Sequence, residues 1–225
     1  MSDKGIFITG TSTGVGKTHT AVVLAKSLTS HGVKVIPRKP VESGCDFEND
    51  QLIPADATAL KHAASYEGLL SDVCPYRFRQ CTSPRRAAFL AQQVLTTQQL
   101  ADVCRTGADQ GFLLVEGAGG FYSPLSEDGL NSDLARELGL PVLLVAQDVL
   151  GAINQVLLSA EAIKNNGLEL RAVILNQVKG YDMPDSVSNL EELHPLLDCA
   201  VYTQPHSDNI GDNDMPADLI DLLTK

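Results

Sequence analysis

Short apolar runs alternate with longer amphipathic segments along this chain. Five of the short runs are rich in branched residues and predict strands at residues 5–9, 33–39, 112–116, 142–146 and 172–176. These runs are apolar along their whole length rather than at every second position. We therefore expect a sheet whose two faces are both covered.

Amphipathic segments between the strands predict helices at residues 16–30, 83–94, 131–138 and 151–166. Strand and helix in this alternation favour parallel pairing through right-handed crossovers. Polar residues at 45–53 and 180–188 predict loops, and we find no repeat or long linker. The expected architecture is one α/β domain over residues 1–225, with a mostly parallel β-sheet flanked by helices on both faces.

Charge and composition exclude several classes of partner. The chain has 225 residues, 44% of them hydrophobic, and a net charge of −11 from 17 Lys+Arg and 28 Asp+Glu. Nucleic-acid binders and anionic-membrane binders usually carry a basic excess, so neither partner is expected. No segment reaches the roughly 20 apolar residues of a membrane helix, and no signal peptide is recognised at the N-terminus. We expect a cytoplasmic protein.

Cysteine and histidine spacing gives no metal or haem motif. The five cysteines form no C-x-x-C pair and the five histidines are scattered. Reduced thiols in a cytosolic protein are the simplest interpretation.

A glycine-rich segment joins the first predicted strand to the first predicted helix. It reads Gly10-Thr-Ser-Thr-Gly-Val-Gly-Lys-Thr18, which is typical of a phosphate-binding loop. Its glycines let successive N–H groups point at phosphate oxygens, and the following helix presents its positive end. Lys17 is expected to reach the β- and γ-phosphates, and the Thr18 hydroxyl to complete the shell of Mg²⁺. A glycine-rich turn without function is the alternative, and the strand–loop–helix context argues against it.

The loop departs from the two common forms of this motif. Thr11 stands where the first glycine is usual, and Ser12 stands where partitioning-type ATPases carry a signature lysine. A generic ATPase is therefore an imperfect match.

Four polar residues near predicted strand ends or helix starts are further candidates. Lys39 is either a second cation facing the phosphates or a solvated lysine, and Asp56 either caps a helix or faces the metal. Glu116 follows an apolar strand and precedes glycines, a position at which a carboxylate typically binds Mg²⁺, so this role is favoured for Glu116. Asn176 either pairs with the edge of an adenine or lies in a turn.

Taken together, these motifs resemble those of the dethiobiotin synthetases over nearly the whole chain. The shifted glycine and the absent signature lysine also fit that family, although several members carry Glu at the position of Gly14. The motifs that carry the resemblance are residues 7–18, Lys39-Pro-Val-Glu-Ser-Gly44, Asp56, Thr82-Ser-Pro84, Val115-Glu-Gly-Ala-Gly-Gly120, Leu150-Gly-Ala-Ile-Asn154 and Asn176.

The resemblance implies a P-loop NTPase fold and a homodimeric ligase. Its substrates would be 7,8-diaminononanoate, CO₂ and ATP with Mg²⁺, and its products dethiobiotin, ADP and phosphate. A carbamate of the diamine would be phosphorylated, and the second amine would then close the ring.

The resemblance also implies residue roles. Lys17 and Lys39 would be catalytic, and Thr18, Asp56 and Glu116 would hold the metal. The residues implied to bind nucleotide are Gly14, Val15, Gly16, Lys17, Thr18, His19, Asp56, Glu116, Gly117, Ala118, Gly119, Asn176, Gln177, Pro205, His206 and Ser207. Those implied to bind substrate are Thr13, Ser43, Gly151, Ala152, Ile153 and Asn154, the last four from the partner subunit.

Two other functions share this loop. A partitioning-type switch ATPase, acting through a dimeric conformational state, would not account for the segment from Lys39 to Gly44. Some such proteins end in a basic membrane helix, whereas residues 212–225 are acidic here. An amidotransferase synthetase of the cobyrinic acid type would need a glutaminase unit, for which no nucleophilic cysteine elbow is evident.

Overall fold

The computed structural model describes residues 4–181, 188–208 and 212–225. Its strands are β1 Gly5–Gly10, β2 Val35–Arg38, β3 Val41–Ser43, β4 Asp46–Glu48, β5 Gln51–Ile53, β6 Tyr76–Phe78, β7 Phe112–Gly120, β8 Val142–Gln147, β9 Leu170–Asn176 and β10 Ala200–Gln204. Its α-helices are α1 Lys17–Ser30, α2 Ala55–Ala63, α3 Leu70–Val73, α4 Pro84–Leu90, α5 Thr97–Arg105, α6 Asn131–Leu138, α7 Ala152–Asn165, α8 Asn189–Leu193 and α9 Ala217–Thr224. A 3₁₀ helix spans Ala108–Gln110.

Six strands form the main sheet in the order β10-β9-β8-β1-β7-β2, and every neighbouring pair is parallel. Strand order reverses beside β1, since β7 and β2 lie on one side of it and β8, β9 and β10 on the other. In open α/β sheets ligands bind at such a reversal, outside the carboxyl ends of the strands. This sheet confirms the predicted fold class.

Alternate residues of the strands pack on opposite faces of the sheet. Phe7 joins an apolar cluster with α4, α5, α6 and α7, whereas its neighbours Ile6 and Ile8 join a cluster with α1 and α9. All six residues of β1 are buried. The continuous apolar strands therefore reflect a sheet that is covered on both sides, as predicted.

Two predictions of local structure were wrong. Residues 45–53 are not a loop throughout, because β4 and β5 pair there as a short antiparallel hairpin. The helix predicted over 83–94 ends at Leu90, and Gln92 adopts a left-handed conformation at φ 56° that cannot continue it. Of the loop predicted at 180–188, residues 182–187 lie outside the described residues.

The acidic C-terminal segment is part of the core. Met215, Leu219, Ile220 and Leu223 are buried and pack in the cluster that covers β1. Within the described residues, no helix has the length and apolarity that crossing a membrane requires.

Candidate active site

The carboxyl end of β1 opens into the phosphate loop at the centre of the sheet. Gly14 and Gly16 have φ angles of 76° and 96°, a region that L side chains rarely adopt. A Cβ on Gly16 would also collide with the side-chain amide of Asn176, which donates to the Val15 carbonyl at 3.2 Å. Conformation and close packing both require glycine at position 16.

The first turn of α1 offers free N–H groups and positive charge to an anion. Gly16 caps the helix without a side-chain hydrogen bond, and the first turn contains no acidic residue. Lys17 Nζ lies across the loop and donates to the Ser12 carbonyl at 3.0 Å. These features are those of a phosphate-binding helix start.

Lys17 is buried, and burial together with the positive charge of Lys39 lowers its pKa to about 8. The carboxylates of Glu116 and Asp56 act in the opposite direction without cancelling the effect. Two ammonium groups therefore line one site, and the positive charge of Lys39 disfavours the charge of Lys17.

Lys39 directly follows β2 and is buried, with three acceptors around its ammonium group. Nζ lies 2.6 Å from Glu116 Oε1, 3.1 Å from Asp56 Oδ2 and 3.2 Å from the Gly117 carbonyl. Burial alone would lower the pKa of Lys39, but the carboxylates of Glu116 and Asp56 outweigh it and raise this pKa above its usual value. The structure therefore excludes the alternative of a solvated lysine at this position.

Glu116 lies within β7 opposite Ile8, and its side chain is fully buried. Its Oε1 also accepts from Thr18 Oγ1 at 2.8 Å. Its Oε2 is buried without a hydrogen-bond partner. A buried carboxylate oxygen without a donor is costly, so the arrangement fits a cation that would approach this oxygen.

Thr18, Asp56 and Glu116, the predicted metal ligands, meet in one cavity of about 350 Å³. No group of three or more His, Cys, Asp or Glu side chains among the described residues forms a metal site. Two carboxylates and a hydroxyl are instead the partial oxygen set that suits Mg²⁺, whose remaining ligands are commonly phosphate and water.

Asp56 does not cap its own helix. The residue before α2 is Pro54, and Asp56 directs its carboxylate to Lys39 instead. The helix N-terminus is covered by Glu42, whose Oε1 accepts from the Asp56 N–H at 3.1 Å and whose Oε2 accepts from the Ala57 N–H at 3.0 Å. Burial raises the pKa of Glu42, although both N–H donors oppose this shift.

Predicted substrate residues lie at two connected positions. Ser43 lines the cavity that holds the metal set, and its hydroxyl donates to the Thr82 carbonyl at 2.6 Å. Thr13 lines this cavity and also a second one of about 440 Å³, which extends to Tyr122 and to Leu158 of α7. Ala118 and Gly119 border the first cavity.

Residues predicted around the nucleotide base gather at the ends of β9 and β10. Asn176 pairs in register with Gln204, whose carbonyl accepts from the Gln177 N–H at 2.9 Å. The segment Pro205, His206 and Ser207 follows directly. Burial and the nearby charge of His206 both lower the pKa of His19 in α1.

Residues Gly151, Ala152, Ile153 and Asn154 stand apart from these groups. Gly151 caps α7 at φ 91° without a side-chain hydrogen bond, and the first turn has no acidic residue. None of these four residues lines either cavity of the described chain. Within the described residues of one chain, these four are therefore outside the lining of the cavity that holds Lys39 and Glu116.

Asn131, which no sequence motif marks, holds the segment after Glu116 in place. Its fully buried amide donates to the carbonyls of Ala118, Gly120 and Ser123 at 2.6, 3.2 and 3.2 Å, and its Oδ1 accepts from the Ala118 N–H at 2.9 Å. Polar residues that begin helices are common, so no local signal distinguishes this one.

Comparison with known proteins identifies close relatives. A family model described as an AAA domain matches residues 4–209. The ATP-dependent dethiobiotin synthetase BioD of Ruthia magnifica subsp. Calyptogena magnifica is 40% identical over 205 residues, which are 90% of this chain and 92% of that protein. The enzyme of the same name from Vesicomyosocius okutanii subsp. Calyptogena okutanii is 43% identical over 84% of each chain. That from Anaeromyxobacter dehalogenans is 35% identical over 90% of this chain and 87% of its own.

Solved structures resemble this chain in fold. The signal recognition particle receptor FtsY from Elizabethkingia anophelis in complex with GDP superposes with a TM-score of 0.55 and 16% identity, covering 100% of this chain and 64% of FtsY. The chain thus spans less than two thirds of that receptor. A ParA family ATPase from Chlorobium tepidum has a TM-score of 0.55 and 13% identity, covering 91% of this chain and 86% of its own. At these identities the likeness concerns the fold alone.

Proposed function

This chain belongs to the family of ATP-dependent dethiobiotin synthetases, and from this premise we propose how its residues carry out the reaction. The enzyme is a ligase of biotin biosynthesis. It closes the ring of dethiobiotin from 7,8-diaminononanoate and CO₂, and converts ATP to ADP and phosphate.

One observation carries the assignment of residues: Lys17, Lys39, Thr18, Asp56 and Glu116 converge on a single cavity at the open end of the phosphate loop. Phosphoryl transfer to an anionic acceptor brings two negative partners together. Positioning and charge neutralisation are therefore the main tasks of the protein. Two ammonium groups beside the N-terminus of α1 supply both.

Three steps make up the reaction. The nitrogen of one amine of the diamine bonds to the carbon of CO₂ and loses a proton, which gives a carbamate. A carbamate oxygen attacks the γ-phosphorus, and the bond from that phosphorus to the β–γ bridging oxygen breaks, releasing ADP. The second amine then attacks the carbamoyl carbon, the bond to the phosphate oxygen breaks, and phosphate and a proton leave. The carbamate is itself the nucleophile, so the transfer step requires no general base.

The two lysines divide the neutralisation of charge. Lys17 extends from the first turn of α1 along the loop and would contact the β- and γ-phosphates. Lys39 approaches from β2 and would contact the carbamate and the transferring phosphoryl group. To do so, its ammonium group exchanges one of its present acceptors for a substrate oxygen.

Thr18, Asp56 and Glu116 would hold Mg²⁺, because their oxygens lie together and Glu116 Oε2 lacks a donor. When bound, the ion would neutralise the phosphates of ATP. At present Thr18 and Lys39 both donate to the same oxygen of Glu116. Metal binding would release Thr18 from this contact.

The base of the nucleotide would lie between Asn176 and Gln177 on one side and Pro205 to Ser207 on the other. Asn176 ends β9, the other residues directly follow β9 or the adjacent β10, and the Asn176 side chain lies against Val15 and Gly16 just before α1. Gly14, Val15, Gly16 and His19 would surround the triphosphate, and the segment from Gly117 to Gly119 would border the γ-phosphate.

The alkyl chain of the diamine would leave the reactive centre past Ser43 and Thr13 into the second cavity. Tyr122 and Leu158 line that cavity and are 54% and 60% exposed, and Leu150 at the start of α7 is 71% exposed. We propose that a second copy of the chain covers these residues in a cytoplasmic homodimer. The uncapped N-terminus of α7 at Gly151 would then bind the tail carboxylate of the substrate that the partner subunit holds.

The experiment is phosphate release by the purified protein with Mg-ATP and bicarbonate, with and without 7,8-diaminononanoate. We expect release that depends on the diamine, with dethiobiotin formed in equal amount. Hydrolysis that ignores the diamine and responds instead to a protein partner would favour a switch ATPase. Glutamine-dependent amide formation would favour an amidotransferase synthetase.

A further inference from the structure

The start of helix α2 lacks a cap from its own segment. Pro54 occupies the cap position and its side chain has no hydrogen-bond acceptor, so the N–H groups of the first turn need partners from elsewhere. Such groups are normally satisfied by a Ser, Thr, Asp or Asn at the cap position. Here a distant side chain replaces that residue.

Glu42 supplies the missing acceptors from β3. Its two oxygens each receive one backbone N–H, from Asp56 at 3.1 Å and from Ala57 at 3.0 Å. These are the second and third residues of the helix, which a cap side chain would normally serve. Glu42 is only 6% exposed, so water cannot readily replace it. A negative carboxylate at this end is also favoured by the helix dipole.

Glu42 acts on Asp56, which is the more exposed of the two carboxylates in the predicted metal set. Glu116 has a fully buried side chain, whereas that of Asp56 is 40% exposed and makes one ion pair, to Lys39 at 3.1 Å. Glu42 binds the backbone N–H of Asp56, and the side-chain carboxylate of Asp56 binds Lys39. Glu42 thus connects β3, the strand that follows Lys39, to α2, the helix that carries Asp56.

We propose that Glu42 is a positioning residue of this active site, which caps α2 from β3 and thereby holds Asp56 where it can bind the magnesium ion. This inference rests on the proposed function, in which Asp56 is a metal ligand. Glu42 itself contacts neither metal nor substrate in this assignment.

The test uses the full chain with Glu42→Gln and Glu42→Ala. Glutamine keeps one side-chain oxygen and nearly the same volume, so it remains informative if the alanine variant does not fold. Asp128→Ala is the matched control, because Asp128 also comes from a separate segment and accepts the Thr97 N–H at 2.8 Å in the first turn of α5, outside the site. Asp56→Asn is measured alongside.

Magnesium is titrated against a fluorescent, non-hydrolysable ATP analogue, and amide hydrogen exchange is followed in the first turn of α2. We expect Glu42→Gln to raise the half-saturating magnesium concentration about 10-fold, the usual effect of losing a group that orients a metal ligand. Exchange at Asp56 and Ala57 should accelerate, while analogue binding without magnesium stays unchanged. Asp128→Ala should leave the magnesium response unaltered.

The possible failures are distinguishable. A folded Glu42→Gln protein with the wild-type magnesium response, beside an Asp56→Asn protein with a weakened one, would overturn the positioning role alone. An unaltered response in Asp56→Asn would overturn the metal assignment and this inference with it. An equal loss in Asp128→Ala would mean that any weakened helix cap has this effect, and would also overturn the inference.

Discussion

Replacing Lys39 by alanine tests the centre of the proposed mechanism. The variant loses three contacts of one buried ammonium group and leaves the fully buried carboxylate of Glu116 without its cation. Removing one partner of a buried ion pair costs about 3–5 kcal/mol of unfolding free energy. A domain of ordinary stability, about 5–15 kcal/mol, would remain folded with a reduced margin.

The effect on catalysis should exceed the effect on nucleotide binding. Loss of one preorganised donor to a developing charge lowers kcat by about 10²–10³-fold in other enzymes. Lys17 and the N–H groups of the loop do not depend on Lys39 for their contacts, so nucleotide affinity should be largely retained. The pKa of Lys39 is raised by its partners, so its stabilising charge is complete below the unfolded pKa of about 10.5. The difference in unfolding free energy between wild type and Lys39→Ala that comes from the charge of Lys39 should therefore persist throughout pH 6–9.

Three assays separate these effects: diamine-dependent phosphate release, binding of a fluorescent ATP analogue, and urea unfolding. Lys34→Ala is the control, since Lys34 is an exposed lysine just before the opposite end of β2. Near-normal kcat in folded Lys39→Ala would remove this residue from the mechanism. Loss of analogue binding with intact stability would instead show that Lys39 belongs to the nucleotide site.

Three further substitutions test the neighbouring groups. Glu116→Gln removes the negative charge of a proposed metal ligand, so half-maximal activity should require at least about 10-fold more magnesium. An unchanged magnesium titration would contradict the role of Glu116 as a metal ligand. Burial and Lys39 lower the pKa of Lys17 to about 8 in the free protein, and a bound phosphate should raise this pKa. Nucleotide binding should therefore take up protons near pH 8.5, and nucleotide affinity should fall above pH 8. Calorimetry of ADP binding in buffers of different ionisation enthalpy measures this proton uptake. The uptake should vanish in Lys17→Arg, and uptake that persists in that variant would assign the titration to another group. Gly16→Ala should abolish nucleotide binding, because its φ of 96° and the adjacent amide of Asn176 leave no room for a Cβ; retained binding in equilibrium dialysis would refute this packing argument.

Most of the reactive groups were recognisable before the structure because they lie within short segments. Lys17 and Thr18 follow a glycine pattern whose spacing is dictated by local backbone geometry. Glu116 follows an apolar run, and a carboxylate at such a position is conspicuous. The branched, wholly apolar runs likewise predicted buried parallel strands, and the paired clusters on the two sheet faces confirm this.

Other features depend on contacts between distant segments. For Asp56 considered alone, a helix cap and a metal ligand were both open, and only the fold shows that Glu42 caps the helix while Asp56 binds Lys39. Asn131 closes hydrogen bonds to a segment 8–13 residues earlier in the chain, with no motif to mark it. The roles proposed for the site residues, those of residues 151–154 and 205–207 included, stay predictions.

The sequence by itself determined which chemistry this chain carries, because phosphate loops and strand-end acids are set by local conformation and residue type. The tertiary structure alone decided the order of the strands and which buried polar group satisfies which other. Burial makes each unpaired donor or acceptor costly, so these pairings are selected over the whole fold. Lys39 and Glu116 come together because β2 and β7 are parallel neighbours in the main sheet. Asp56 and Glu42 join them only because Glu42 of β3 binds the start of α2 and Asp56 of that helix binds Lys39.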